Sequence, residues 1–382
     1  PIYSRYSNTG FVTWADETGI LATRNYQRNR FEGASRIDGM RLMDYVTRPS
    51  GCYRCPVHCK AEVRIESGPF AGLEGERPDI EPIVALGSKC GVDDPEAVLH
   101  LYNLCGRLGI DAISAAGTLA FAMELRETGL LTREDTDGLE LVWGNHGAME
   151  EMLGRIARRE GFGGLLAEGV ARAAAEIGRG AEAYAHHSKG LEITAYDPRG
   201  AMGTALGYAV SSRGADFTSV HALPEYRWDA DRSAQVYGDP LATDQHSIHG
   251  KAALVKHTMS VSATVDSLGL CKVAALNVTD DFSLEAEAEL ASAVSGIEVT
   301  PDQLLNVGER VLNLERLFNL AHGATRADDR LPERFLREGL PDGPARGATV
   351  ELAPMLESFY AAMGWDAEGR PTKETISRLE LR

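Results

Sequence analysis

Apolar positions recur with helical spacing through most of the chain beyond residue 94. Asp94-Pro95 has the pattern of an N-cap followed by proline at the first helical position, and the apolar residues Ala97, Val98, Leu101, Leu104 and Cys105 then follow at i, i+1, i+4, i+7 and i+8, on one helical face. Thr300-Pro301-Asp302-Gln303 has the pattern of a capping box. Similar patterns predict helices at 111–129, 148–160, 162–178, 244–268, 284–296, 300–323, 351–364 and 372–381. We therefore predict a mainly α protein with two multihelical domains, residues 1–190 and 191–382.

The remaining segments indicate how these helices are connected. Residues 1–49 are polar, aromatic and irregular, which predicts a coiled arm with a short helix near residues 10–19. Alternation over Ala61–Glu66 predicts a strand. The Gly- and Pro-rich stretch Lys189–Gly203 marks the domain boundary, and Arg326–Glu338 is predicted to be a charged connector.

Composition and charge exclude several classes of function. The 382 residues, 43% of them hydrophobic, suffice for large cores. A net charge of -17 argues against nonspecific nucleic-acid binding and against binding to an anionic membrane surface. The sequence has no apolar run of about 18 residues and no signal-type N-terminal stretch, which predicts a cytoplasmic protein without a membrane span.

Cysteine spacing gives the strongest chemical signal. Cys52, Cys55 and Cys59 form a C-x2-C-x3-C run, and Cys271 lies far downstream. Three clustered thiolates and a remote fourth favour an iron–sulfur cluster and hence electron transfer. Structural zinc and unlinked thiols remain alternatives, although zinc sites usually show two paired units. Cys90 and Cys105 lie in apolar helical stretches and are predicted to be buried thiols.

Two aspartates at helix ends suggest contacts to a polar ligand. Asp111 and Asp266 are each followed by small residues, which let backbone N–H groups approach a bulky ligand closely. Their carboxylates could accept hydrogen bonds from ring N–H groups of such a ligand. For Asp111, a plain N-cap remains the alternative.

Together these residues resemble the two C-terminal domains of the tungsten-containing aldehyde ferredoxin oxidoreductases. The resemblance covers nearly the whole chain. The matching pieces are Arg24-Asn25, Phe31-Glu32-Gly33-Ala34, the cysteine run, Ala85-Leu86-Gly87-Ser88, Gly91-Val92-Asp93-Asp94, Gly109-Ile110-Asp111-Ala112-Ile113-Ser114, Lys189-Gly190-Leu191-Glu192, Tyr196-Asp197-Pro198-Arg199-Gly200, Arg213-Gly214-Ala215, Asp266-x2-Gly269-Leu270-Cys271 and Leu331-Pro332-Glu333-Arg334.

The resemblance implies a cofactor set and a reaction. It implies a [4Fe–4S] cluster on the four cysteines, beside a tungsten (or molybdenum) bis-pterin. The implied pterin-contacting residues are Asp111, Ala115, Arg213, Asp266 and Leu270. A small aldehyde would be oxidised to a carboxylic acid, and electrons would leave through the cluster to ferredoxin or another redox partner.

Three acid–base candidates follow from the same resemblance. The family has a carboxylate near the metal in a segment that here is Pro78-Asp79-Ile80-Glu81, so Glu81 is the first candidate and Asp79 the second. A solvated surface acid is the alternative for each. Phe217 and Ser219 stand where the family has a histidine and a basic residue, and His221 is the substitute candidate.

The family's N-terminal β-rich domain is missing from the sequence. The resemblance therefore implies that a separate subunit, or the rest of a longer chain, completes the pterin site. Two alternatives are an electron-transfer or assembly subunit and an inactive excised piece. The family also suggests a dimer, but its subunit-bridging iron site is not evident, and Glu96 and His100 are predicted to be a surface pair.

Overall fold

The computed structural model describes residues 2–381, which form two compact units. The first unit comprises residues 2–200 and 332–349, and the second comprises residues 201–331 and 350–381. The domain boundary predicted at residue 190 stays a prediction, because compactness alone does not define a domain.

Helices dominate both units, which confirms the predicted mainly α class. Helices α1–α10 and α18 belong to the first unit and the others to the second. The helices are α1 (Ile2–Tyr6), α2 (Val12–Thr18), α3 (Ala34–Ile37), α4 (Gly39–Leu42), α5 (Ile80–Leu86), α6 (Pro95–Leu108), α7 (Ala112–Glu127), α8 (His146–Arg158), α9 (Gly161–Leu166), α10 (Val170–Ile177), α11 (Met202–Val210), α12 (Phe217–Val220), α13 (Pro224–Arg227), α14 (Ala230–Tyr237), α15 (Lys251–Ser267), α16 (Glu285–Ser295), α17 (Pro301–Ala321), α18 (Glu333–Arg337), α19 (Leu352–Met363) and α20 (Lys373–Arg378).

Strands are short and lie in the first unit. β1 (Val46–Ser50), β2 (Lys60–Arg64) and β3 (Glu74–Glu76) form an antiparallel sheet in the order β1-β2-β3. β4 (His187–Ser188) and β5 (Leu191–Glu192) form a two-stranded hairpin. The strand predicted at residues 61–66 corresponds to β2.

Helices α6 and α7 build the core of the first unit. The α6 N-terminus has the predicted cap, since Asp94 Oδ1 accepts a hydrogen bond from the Glu96 N–H at 2.9 Å and Pro95 follows it. The helix ends at Gly109, whose φ of 69° is left-handed. Every residue of α7 from Ala115 to Leu125 is buried, as expected for a helix enclosed by protein.

Residues 332–349, which we call the return segment, contribute buried charge to the first unit. Arg334 on α18 donates hydrogen bonds to Glu124 at 2.7 and 2.9 Å and to the Asn25 carbonyl at 2.9 Å. Arg334 is 7% exposed and Glu124 is 2% exposed. The predicted charged connector is therefore partly buried, because its arginine has a paired carboxylate.

Helices α15 and α17 pack closely in the second unit. A Cβ on Gly308 of α17 would lie 1.9 Å from the Ser260 carbonyl oxygen of α15, so only glycine allows this approach. Nearby, the Thr264 hydroxyl donates to the Leu304 carbonyl at 2.8 Å. The predicted capping box at Thr300 and Gln303 is confirmed at the start of α17.

The structure corrects several predicted boundaries. The single helix predicted at 162–178 is divided into α9 and α10, because Gly169 adopts a φ of 84° between them. The helix predicted from residue 244 begins at Lys251, after Gly250 with a φ of 70°. The predicted irregular arm contains four short helices, and α11 was not predicted. Within residues 2–381 no single helix is long and apolar enough to cross a membrane, although α6 and α7 together pass that test with a 116° bend.

Candidate functional site

The three-cysteine run forms the loop of a β-hairpin. Residues 51–59 connect β1 to β2, and Ser50 pairs with Lys60 at the base. Inside the loop, the Cys55 N–H donates to the Cys52 carbonyl at 3.0 Å. A Cβ on Gly51 would lie 3.1 Å from His58 Cα, so the two ends of the loop are in contact. The sequence predicted the loop but not the hairpin that holds it.

Backbone conformation and thiol exposure in this loop suit an iron–sulfur cluster. Arg54 and His58, directly before Cys55 and Cys59, have left-handed φ values of 56° and 51°. Such residues turn backbone N–H groups into concavities that are common at iron–sulfur sites. Cys52 is exposed, Cys55 and Cys59 are partly exposed, and no disulfide joins the six cysteines, which all lie in the described part of the chain.

Among residues 2–381, no group of three or more His, Cys, Asp or Glu is placed to hold a metal ion. The loop nevertheless fits a cluster in its donor chemistry and backbone conformation. Cys90 and Cys105 are buried thiols, as predicted, and burial raises the pKa of each to about 12.

Asp79 contacts the lysine that follows the last cysteine of the loop. Lys60 Nζ forms an ion pair with Asp79 Oδ2, and the Ser7 hydroxyl donates to Asp79 Oδ1 at 3.2 Å. Burial alone would lower the pKa of Lys60, but the charge and hydrogen bond of Asp79 outweigh burial and raise it. Arg77 donates to the Cys59 carbonyl at 3.3 Å. Asp79 therefore anchors the base of the hairpin.

Glu81 lies in the first turn of α5 and makes a different contact. Its Oε2 accepts a hydrogen bond from the Ala195 N–H at 2.6 Å, and the side chain is half-buried. Asp79 thus pairs with a lysine ammonium, and Glu81 accepts a hydrogen bond from a backbone amide.

Asp111 is the N-cap of α7, which is the alternative that the sequence left open for this residue. Its Oδ1 accepts from the Ser114 N–H at 2.7 Å. Ala115 lies one turn further along the helix and is 7% exposed. Asp111 also borders an open depression of about 410 Å³, whose lining includes Glu76, Tyr102 and Arg107. A cap and a ligand contact are compatible, because a carboxylate has two oxygens.

Arg213 is joined to its neighbours through Asp216 in the second unit. Arg213 Nε donates to Asp216 Oδ2 at 2.7 Å, and the hydroxyls of Thr218 and Ser219 donate to the same carboxylate at 2.8 and 2.5 Å. Burial alone would raise the pKa of Asp216, but the bonds from Ser219 and Thr218 and the charge of Arg213 lower it overall. Ser219, which stands where the family has a basic residue, thus supports this carboxylate.

His221 is buried and hydrogen-bonded to an amide. It is 4% exposed, and its Nε2 lies 2.6 Å from Asn277 Oδ1. Burial lowers the pKa of His221 to about 4, although the bond to Asn277 opposes this shift. The imidazole is therefore neutral at pH 7, and its role in proton transfer stays a prediction.

The Asp266–Cys271 segment forms the end of α15 and the turn that follows. Lys272 Nζ contacts Asp266 Oδ2 and the Thr218 carbonyl, each at 2.7 Å. The Leu270 N–H donates to the Val265 carbonyl at 3.0 Å, and Cys271 is exposed. Lys272 therefore connects the predicted ligand segment to α12, which His221 follows directly.

Three residues of these sites were missed by the sequence analysis. Lys60 and Lys272 each follow a predicted cluster cysteine directly, and that repeated Cys-Lys pair is a signal the sequence did contain. Asn277 closes a π-helical turn, Val273–Asn277, and only the structure reveals its contact with His221. π-helical turns are frequent at functional sites.

Comparison with known proteins places this chain among oxidoreductases. The family model described as aldehyde ferredoxin oxidoreductase, domains 2 & 3, matches residues 1–381. The tungsten-containing aldehyde ferredoxin oxidoreductase of Pyrococcus furiosus is 35% identical over 99% of this chain and 60% of its own length. The enzyme of the same description from Thermococcus kodakarensis gives the same three values, 35%, 99% and 60%. The aliphatic sulfonate oxidoreductase, WOR-like subunit, of Pyrococcus furiosus is 33% identical over 86% of this chain and 50% of its own length.

A solved structure shows the same fold. It is a chain of the active site complex BamBC of benzoyl coenzyme A reductase with 1,5 dienoyl-CoA, and it matches with a TM-score of 0.73 over 96% of this chain and 58% of that chain. At 22% identity this likeness shows the fold alone. This chain spans about 60% of the length of the aldehyde oxidoreductases that it matches.

Proposed function

The chain belongs to the aldehyde ferredoxin oxidoreductase family, and we propose that it is the helical, cluster-carrying part of a tungsten or molybdenum pterin oxidoreductase. The observation that carries this proposal is the match of residues 1–381 to domains 2 and 3 of that family. The thiols of the hairpin loop, exposed at Cys52 and partly exposed at Cys55 and Cys59, support it, since they are in no disulfide.

The four cysteines are the proposed cluster ligands. Cys52, Cys55 and Cys59 would supply three thiolates from the hairpin loop, and Cys271 would supply the fourth. A [4Fe–4S] cluster so bound would take up one electron at a time. Ferredoxin or another redox protein would receive the electrons.

Five residues that follow from the family resemblance are the proposed pterin contacts. Asp111 would accept hydrogen bonds from ring N–H groups, with Ala115 in the same helix. Asp266 would do the same, Leu270 would offer a backbone contact beside it, and Arg213 is a further proposed contact. Because the relatives are longer than this chain, a further domain or subunit is proposed to complete the site.

Glu81 is the proposed acid–base residue. The metal centre, when bound, would supply the oxygen-transfer chemistry, in which an aldehyde and water give a carboxylic acid, two protons and two electrons. Glu81 would take a proton from the attacking water or exchange one with the aldehyde oxygen. The Ala195 N–H fixes one oxygen of this carboxylate, which restricts the directions in which the carboxylate can accept or donate a proton.

A second substrate class is supported by one comparison. The aliphatic sulfonate oxidoreductase subunit is nearly as similar to this chain, at 33% identity, as the aldehyde enzymes at 35%. Aldehydes remain the first candidate, since their relatives match more of the chain. Aldehydes and aliphatic sulfonates assayed side by side would decide between the two.

Iron analysis tests the cluster assignment. The complete protein, purified without oxygen, is expected to contain about four irons per chain and to show a reduced-cluster EPR signal. Cys271→Ser is expected to lose or convert that cluster. Cys90 is a buried thiol outside both cysteine segments, so the control Cys90→Ser is expected to keep the cluster. Stoichiometric zinc without iron, or an unchanged signal in Cys271→Ser, would contradict the assignment.

Substitution of Glu81 tests the proposed catalysis. Glu81→Gln keeps an acceptor for the Ala195 N–H but cannot transfer the proton, so kcat of the complete enzyme should fall about 10²- to 10⁴-fold with little change in KM. Glu66→Gln, which alters an exposed acid, is the matched control. An unchanged kcat in Glu81→Gln would remove this residue from the mechanism.

A further inference from the structure

Residues 193–195 connect Glu81 to two buried side chains of the first unit. The Ala195 N–H donates to Glu81 Oε2 at 2.6 Å. Two residues earlier, the Ile193 carbonyl accepts from Lys89 Nζ at 2.7 Å. The Tyr26 hydroxyl contacts the same carbonyl and that of Thr194, the latter at 2.6 Å. The peptide groups before Ala195 are therefore held by two side-chain donors.

The opposite side of this stretch is also fixed. The Ala22 N–H donates to the Ala195 carbonyl at 3.0 Å, and the Ile193 N–H donates to the His186 carbonyl at 3.2 Å. With both flanking peptides held, the direction of the Ala195 N–H is set by its surroundings. Glu81 then meets a donor whose position depends on Lys89 and Tyr26.

Lys89 and Tyr26 are unusually buried for such polar groups. Tyr26 is 0% and Lys89 is 1% exposed, and Lys89 Nζ lies 4.8 Å from the centre of the Tyr26 ring. Burying an ammonium group is costly unless it is hydrogen-bonded, and Lys89 donates to the Ile193 carbonyl. Tyr26 is enclosed by the rings of Phe335 and His186, with centroids 5.2 and 5.6 Å away.

The charge states of both groups suit donation. Burial, with the charges of Asp197, Glu81 and Glu192, raises the pKa of Tyr26 well above its ordinary value, so its hydroxyl stays protonated. Burial lowers the pKa of Lys89 to about 8, although the charges of Cys90, Glu192 and Glu81 oppose this. Glu81 is thus close enough for its charge to affect both residues.

We propose that Lys89 and Tyr26 are positioning residues for Glu81, because they hold the carbonyls of residues 193 and 194 and thereby aim the Ala195 N–H at the Glu81 carboxylate. This inference rests on the proposed catalytic role of Glu81. Neither residue is assigned a contact with substrate. Their loss changes the orientation of the carboxylate, and small misplacements of a catalytic group can cost about 10²-fold in rate.

Two substitutions in the complete, cofactor-loaded enzyme test the proposal. Tyr26→Phe removes the hydroxyl and keeps the ring, and Lys89→Met removes the ammonium and keeps most of the volume. Each is expected to lower kcat about 10- to 100-fold with KM within about twofold, and to shift the limb of the pH–rate profile that Glu81→Gln abolishes. Tyr360→Phe is the matched control, since Tyr360 is 2% exposed and its hydroxyl donates to Asp329 in the second unit.

Double mutants separate this proposal from the proposed function. In a Glu81→Gln background, Tyr26→Phe and Lys89→Met should cause no further loss of kcat, because the carboxylate that they position is gone. Losses that multiply with Glu81→Gln, or wild-type kinetics in both single variants, would overturn the positioning role and leave that of Glu81 intact. An unaffected Glu81→Gln would instead refute the proposed role of Glu81 and the positioning role with it. If Lys89→Met does not fold, Tyr26→Phe decides alone.

Discussion

Replacing Arg334 tests how the return segment is held in the first unit. Arg334 donates twice to Glu124, to the Asn25 carbonyl at 2.9 Å, and to His186 Nε2 at 3.0 Å. His186 can accept this bond, because burial and the nearby positive charge of Arg334 lower its pKa well below the ordinary value. Arg334→Met would remove all these donors while preserving an apolar stem of similar length.

The expected cost follows from the charge left behind. Glu124, 2% exposed, would keep the amide donors of Asn25 and Gln27 at 2.6 and 3.1 Å but lose its cationic partner. Breaking a buried ion pair on one side costs about 3–5 kcal/mol. For a unit of this size, each kcal/mol lowers the melting temperature by about 2–4 °C, so Arg334→Met should melt about 6–20 °C lower.

Arg337→Met is the matched control on the same helix. Arg337 pairs with Glu333 one turn away, but their side chains are 78% and 69% exposed, so its loss should cost about 0–1 kcal/mol. Thermal unfolding measures both variants, and hydrogen exchange of α7 and α18 amides localises the effect. Adding Glu124→Gln to Arg334→Met should restore part of the loss, since no buried charge then remains. Equal melting shifts for the two arginine variants, or a further loss on adding Glu124→Gln, would refute the reasoning.

Two more predictions concern the second unit. His221 has a pKa of about 4 in the folded protein against 6.5 ordinarily, so the folded state binds a proton at this site less readily than the unfolded state does. The contribution of His221 to the free energy of unfolding is therefore complete above about pH 6.5 and is lost as the pH falls towards 4. Urea unfolding at several pH values should show a shallower loss of stability in acid for His221→Gln than for the wild type. Gly308→Ala should cost at least about 1–3 kcal/mol in chemical unfolding, because its Cβ would lie 1.9 Å from the Ser260 carbonyl oxygen, whereas Gly106→Ala in α6, with no atom within 4 Å, should be neutral or stabilising.

Sequence analysis predicted well those features that depend only on residues close together in sequence. The caps at Asp94 and Thr300 are local hydrogen-bond patterns, and both are confirmed. The division at Gly169 was missed because an apolar pattern does not reveal a left-handed backbone. α11, which is buried along its whole length, was missed because its small apolar residues and glycines give no amphipathic contrast.

The candidate site was predictable as a set of residue types, not as an arrangement. Spacing alone singled out Cys52, Cys55 and Cys59, but the hairpin depends on pairing between β1 and β2, which lie on either side of the loop. The contact of Glu81 with Ala195 joins residues 114 positions apart in sequence, and no local pattern encodes it. Long-range contacts of this kind determine the hydrogen-bond partner of each carboxylate.

A lysine after the last cysteine of each segment gives the two units a common local arrangement. Lys60 follows Cys59 and pairs with Asp79, and Lys272 follows Cys271 and pairs with Asp266 at 2.7 Å. The sequence analysis had assigned these aspartates to different tasks, acid–base catalysis and pterin binding. Each of them pairs with the lysine that follows a cysteine and so anchors a cysteine-bearing turn, while both assigned roles stay predictions. The acid–base roles of Asp79 and Glu81 stay predictions: Asp79 pairs with the lysine that follows a proposed cluster ligand, and Glu81 accepts a hydrogen bond from the Ala195 N–H.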